Sequence, residues 1–256
     1  MKMVSDILSV HKQHEFLLEL ENAGLNDKLA QSVIISKNNM LAKKIVTLIQ
    51  CNGFLPTISH SQKRAQKIMG QNFFGIEQAI QHFGIIPSAK QLAVLVEIPF
   101  TEEVLKKCKY THILVAVFPL SMIQVRSKTT EKEKLFYDQD WYDQEKFAHK
   151  KGKIIWRLIR KTPVDNSINK NWNEQQSLLK QDEYTPTGQT MTYTVMGHYL
   201  ATGERLFKHI YVRCNDLTSG GFGVYMGDFN SGSFVIGDNC DDSRHDTLAV
   251  ASARKS

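Results

Sequence analysis

The hydrophobic period of this chain changes between its two ends. Across the first fifty residues apolar side chains recur at helical spacing: Leu41, Ile45, Leu48 and Ile49 share one face, and Lys43 and Lys44 fall off it. In the last fifty, short β-rich runs are separated by turns of glycine, asparagine, aspartate and serine. A helical front and a stranded rear place the chain in the α+β class.

Capping residues set the expected limits of the elements. The amphipathic stretch 14–20 stops at Asn22-Ala23-Gly24, where glycine takes the left-handed conformation. Asn26 and Asp27 cap a second helix reaching about Ile34. Asn38 or Asn39 opens a third over 40–51, which Asn52-Gly53 closes. Residues 56–71, with His60, Lys63, Arg64 and Lys67, read as a linker or surface helix. They mark the expected boundary between a helical region (1–70) and an α+β domain (71–256). Short helices are expected over 76–83, 88–96 and 101–107, the last capped by Thr101 with two glutamates in its first turn. The most apolar run, 113–123, is broken by Pro119 and is too short to span a bilayer, so it reads as a buried strand, which the pattern places over 112–118. Beyond a segment dense in charge and aromatics (127–153), the pattern predicts a strand over 154–159 and a helix over 171–180. At 188–200 the composition suits a strand and the spacing a helix; the helix is favoured. Strands follow at 209–214, 222–229, 233–236 and 248–252.

Several function classes find little support. The start, MKMVSDILSV, is too polar for a secretion signal, so a cytoplasmic protein with no membrane partner is expected. Cys51, Cys108, Cys214 and Cys240 stand far apart with no CxxC pair. They read as free thiols rather than a zinc site or a disulfide framework. A cysteine hydrolase would need Cys214 or Cys240 beside His198, His209 or His245 and an aspartate, and none of these sits in a signature motif. Asp238, Asp241, Asp242, His245 and Asp246 offer metal ligands without the spacing of an EF-hand. The glycines at 220, 221 and 223 lead into a strand and lack the lysine of a phosphate loop. No catalytic residue, cofactor or metal is therefore expected.

The net charge of +6 is unevenly placed. Residues 1–70 carry nine basic and five acidic side chains and residues 101–161 fourteen and eight, while residues 162–256 carry eight and eleven. The basic front supplies the alternative reading, a nucleic-acid-associated protein. Lys37, Lys43, Lys44, Lys63, Arg64 and Lys67 could neutralise phosphates, and Lys146, Lys150, Lys151, Lys153, Arg157 and Arg160 lie beside Trp141, Tyr142 and Trp156 in a pattern that suits single strands.

The leading reading rests on what residues 227–254 lack. They contain no Lys, Glu, Gln, Met or Trp, although these five types make up 64 of the 256 residues. A fixed window of this length would miss all five by chance roughly once in three thousand, and some window along the whole chain would do so in about a few per cent of cases. These five are also the amino acids that no codon ending in a pyrimidine encodes. A segment diversified from adenine-pyrimidine codons would mix Asn, Asp, Ser, Gly, His, Tyr, Cys, Phe, Ile and Thr, and DFNSGSFVIGDNCDDSRHDT at 228–247 is close to that mixture.

In position and composition this window resembles the variable region of the ligand-binding proteins that diversity-generating retroelements mutate. The resemblance covers about residues 154–256, with the chain running LAVASARK over 248–255 where the family commonly carries a glycine-phenylalanine-arginine ending. It implies a C-type-lectin-like fold, two helices (171–180 and 188–200) followed by a twisted antiparallel sheet. It also implies a non-catalytic surface for a protein or other macromolecular ligand. Tyr225, Phe229 and Phe234 would be its anchors. Asp228, Asn230, Ser231, Ser233, Asp238, Asn239, Cys240, Ser243, His245, Asp246 and Thr247 would be its adaptable polar contacts. Along the strand, Ser233 and Val235 must point one way and Phe234 and Ile236 the other, one pair towards the core.

Overall fold

The computed structural model describes residues 9–50, 58–130, 134–230 and 233–256, without the side chains of 47, 50 and 130. Residues 1–8 of the stretch read for a secretion signal, Cys51, the Asn52-Gly53 stop and Ser231 lie outside them. The chain separates into two compact units, 1–55 and 56–256.

The first unit contains α1 (Val10–Asn22), α2 (Asp27–Ile34) and α3 (Met40–Gln50). Ser9 caps α1, its hydroxyl accepting from the Lys12 N–H, and Asn26 caps α2, its carboxamide oxygen accepting from Leu29 N–H at 3.1 Å. A short 3-10 turn, Lys37–Asn39, precedes α3; Asn38 and Asn39 adopt left-handed φ of 55° and 57°, so they turn the chain rather than cap the helix. Neither α1 nor α2 has a buried residue.

The second unit begins with α4 (His60–Met69), β1 (Phe73–Phe74), α5 (Ile76–Phe83), α6 (Ala89–Val94), α7 (Glu102–Cys108), β2 (His112–Val117) and α8 (Met122–Thr130). The basic segment expected as a boundary is thus α4, and it belongs here because Gln62, Ala65 and Met69 are buried and α4 packs on α7. The strand expected over 112–118 is β2, and the apolar run beyond it is not strand. β2 ends at Val117, the chain turns at Pro119, and α8 starts where Ser121 and Gln124 cap one another reciprocally.

There follow α9 (Lys146–His149), β3 (Ile155–Arg160), α10 (Trp172–Ser177), β4 (Glu183–Tyr184), α11 (Gly188–Thr202), β5 (Tyr211–Leu217), β6 (Gly223–Gly227), β7 (Val235–Asn239), β8 (Leu248–Val250) and β9 (Ala253–Arg254). One sheet has the order β1-β2-β3-β9-β4 and the other β7-β6-β5-β8. The second sheet is mixed rather than antiparallel, because β8 runs parallel to β5.

Helix α11 packs against β1 and β2 of one sheet and β5 and β6 of the other, and eleven consecutive residues, Gly188 to His198, are buried. A helix enclosed on all sides needs no polar face, which is why the sequence pattern there was ambiguous. Gly197 lets the Phe74 ring lie against the helix; a Cβ would stand 2.8 Å from it.

Candidate ligand-binding surface

Strand order dictates where residues 240–247 run. They leave β7 at one edge of the second sheet and enter β8 at the other, so they cross β6 and β5. The crossing spans three strand spacings, about 14 Å. It also returns along the strands, since β7 ends opposite Gly223 whereas β8 starts opposite Tyr211, at the other end of β5.

Arg213 of β5 rises beneath this crossover and is completely buried. Its guanidinium donates to the carbonyls of Cys240 and Ser243, both at 3.0 Å, and more weakly to the Asp241 carbonyl and the Gln175 carboxamide oxygen. Burial works against its charge, opposed first by Asp241, and the carbonyl dipoles around it act in the same stabilising sense. The crossover is fixed from its other sides as well. Trp172 N–H donates to the Asp241 carbonyl at 2.9 Å, Asn169 N–H to His245 at 2.8 Å, and Tyr211 N–H to Thr247 at 2.8 Å. The Asn239 carboxamide oxygen accepts from Cys240 N–H and from the Ser243 hydroxyl, each at 2.8 Å, and Arg244 pairs with Glu174. Sequence reasoning missed Arg213, although a guanidinium between Val212 and Cys214 in an apolar strand was a visible signal.

While this backbone is anchored, its side chains point outward. Asp238, Cys240, Asp241, Asp242, Arg244, His245, Asp246 and Thr247 are exposed; Asp228, Asn230, Ser233, Asn239 and Ser243 are half-buried. Asn239 and Ser243 build the turn with their side chains rather than standing free. Two expected anchors are corrected. Phe229 and Phe234 are 0% exposed, stacked edge-on with centroids 5.6 Å apart, and continue into Tyr199 and Phe136. Phe234 and Ile236 therefore form the core face of β7, and Ser233 and Val235 the open one.

Tyr225 keeps its expected place on the surface and gains an unforeseen companion. Its ring meets Tyr211 at 5.1 Å and lies over Gly237, where a Cβ would come within 2.4 Å of it. The Tyr211 hydroxyl donates to Asp228 at 3.4 Å. Both phenols are raised above their usual range by partial burial, then by Asp228 for Tyr211 and by Asp238 for Tyr225. The neighbouring segment is joined to β7 by a Phe136–Phe234 bridge, and its Tyr137 is 57% exposed.

Cys214 is buried, its thiol pushed well up by burial, and it donates weakly to the Val212 carbonyl. His198 is buried and bonded to Glu204 at 2.7 Å, which also binds Lys161 at 2.6 Å; burial pulls the imidazole below its ordinary range despite Glu204. Cys240 is exposed on the crossover. Among the described residues no three His, Cys, Asp or Glu side chains are arranged to hold a metal ion, the crossover included. No helix among them is long and apolar enough to cross a membrane.

The basic regions are likewise redistributed. Lys37, Lys43 and Lys44 belong to the first unit and Lys63, Arg64 and Lys67 to the second, where Arg64 pairs with Glu102. Tyr142 and Trp156, expected beside the lysines as stacking faces, are core residues, and the Trp156 N–H donates to the Leu95 carbonyl at 2.9 Å. Arg160 pairs with Asp165, and Arg157 lies over the Tyr184 ring.

Comparison with protein-family models, curated proteins and solved structures finds no match.

Proposed function

We propose that this chain is a non-catalytic binding protein that presents residues 225–247 to a macromolecular partner, and that this segment is one a diversity-generating retroelement varies. A single observation carries the reading: over residues 240–247 the backbone is anchored while most polar side chains are displayed. The Cys240, Asp241, Ser243, His245 and Thr247 carbonyls all have donors within the fold. A surface of this kind tolerates exchange of its side chains because none of those hydrogen bonds depends on them. Binding loops held by a rigid sheet lose less entropy on meeting a partner than free loops do.

The division into displayed and buried positions gives the proposal a sharp test. Sequencing the coding segment for 227–254 in sibling isolates, with the neighbouring DNA, should show variation at 228, 230, 233, 238, 242, 245, 246 and 247. Phe229, Phe234, Ile236 and Leu248 should stay constant, and a reverse transcriptase with a template copy differing at adenines should lie nearby. Variation that falls equally on the four core positions, or an invariant segment with no such template, refutes the diversified-surface reading.

A further inference from the structure

The displayed strands and crossover carry more carboxylates than cations, and that limits what they can hold. From residue 210 to 247 the chain carries six aspartates and two cations, Arg213 and Arg244. Neither cation reaches a partner unengaged: Arg213 is buried under the crossover and Arg244 is held by Glu174. Of the aspartates, Asp216 alone turns inward, accepting from Gly188 N–H at 2.6 Å. Asp228 accepts from the Tyr211 hydroxyl, Asp238 follows the glycine under the Tyr225 ring, and Asp241, Asp242 and Asp246 are exposed on the crossover. Tyr137, Asp138 and Asp140 line a neighbouring cleft of about 440 Å³, whose cations Lys134 and Arg126 are paired with Asp138 and Asp143.

We infer that this strip takes arginine side chains of a protein partner. The inference rests on the binding reading above and names the partner's chemistry. Half-exposed tyrosine rings present negative faces, and a guanidinium laid on them gains a cation–π contact. Its planar N–H groups simultaneously reach carboxylates at the rim, which favours arginine over the compact lysine ammonium. Phosphate-bearing ligands are repelled by the same aspartates, so nucleic acid is the wrong occupant for this face.

The test is selection from a phage-displayed library of random twelve-residue peptides on the immobilised full chain. Binding of the recovered peptides is then measured to the wild type, to Asp228→Asn/Asp238→Asn and to Tyr225→Ala. Arginine should be enriched in the recovered peptides. Affinity should fall about fivefold or more in both variants and weaken as salt is raised. Peptides that need Tyr225 but are neutral or acidic overturn the arginine inference and leave the binding surface standing. Peptides that bind all three proteins equally, or no recovered peptide at all, overturn both. Should Tyr225→Ala fail to fold by circular dichroism, the Asp228→Asn/Asp238→Asn variant decides alone, because asparagine keeps the size of aspartate and its carboxamide oxygen still accepts from the Tyr211 hydroxyl.

Discussion

Replacing Arg213 with methionine tests the anchored crossover directly. The variant keeps the volume and removes the donors, so the Cys240 and Ser243 carbonyls lose their 3.0 Å partners and the weaker contacts at Asp241 and Gln175 vanish with them. A hydrogen bond to a charged group contributes about 1.5–3 kcal/mol net, so the two short ones amount to about 3–6 kcal/mol. Methionine recovers about 1–2 kcal/mol by burying apolar surface where a charge was costly. The expected net loss is about 2–4 kcal/mol, a fall of roughly 1 M in the urea midpoint. The loss should also be local. Hydrogen exchange read over residues 238–248 should quicken strongly, while α11 and β2 keep their relative protection. A midpoint within about 0.3 M of wild type refutes the reasoning. So does a full loss of stability with unchanged exchange in the crossover, since the buried guanidinium would then be supporting the core rather than the loop.

Three further outcomes follow from named contacts. Gly237→Ala places a methyl where the Tyr225 ring lies, costing about 1–3 kcal/mol by overpacking; Gly237→Ala/Tyr225→Ala should recover most of it in a double-mutant cycle of thermal unfolding. Asn171→Ala removes a reciprocal cap in which Asn171 accepts from Glu174 N–H and Glu174 from Asn171 N–H, both at 3.0 Å, and should cost about 1 kcal/mol in denaturant unfolding. Burial first, then Arg254, Arg160 and Lys180, pulls the His112 imidazole to about 4 from 6.5. The unfolded chain therefore binds the proton first as pH falls. The stability from this group is complete above about pH 6.5 and drains away between pH 6.5 and 4, by about 3 kcal/mol in all. His112→Gln should flatten that part of the profile when urea midpoints are measured at successive pH values.

Where elements are held by local chemistry, they could be read before the fold was known. Asn26 and Thr101 cap helices as their side chains suggest, and β2 is buried throughout as its apolar run implies. The failures share a cause: the deciding partner is distant in sequence. Two-residue strands such as β1, β4 and β9 have no periodicity of their own and exist through pairing. Alternation along 233–236 defined two faces but could not say which was core; Phe136, some hundred residues earlier, settles it by packing on Phe234. Tyr142 and Trp156 looked like surface aromatics because lysines surround them in sequence, yet tertiary packing takes both inside. At the surface itself, Tyr225 and the polar residues were legible from composition, whereas the Tyr211 ring beside them and the arginine beneath were not.

The place of β9 has a consequence in time rather than in space. Ala253 and Arg254 lie between β3, where they pair with Ile159 and Leu158, and β4, where they pair with Tyr184 and Glu183. The central part of that sheet is therefore closed by residues synthesised some seventy to a hundred positions after the strands they join. Until they arrive, β3 and β4 each present an open hydrogen-bonding edge, a condition that invites pairing with another chain. Contacts so remote in sequence also slow folding, because a long loop must be closed before any gain is realised. During synthesis, the vulnerable interval for this protein runs from the appearance of β3 and β4 to that of β9.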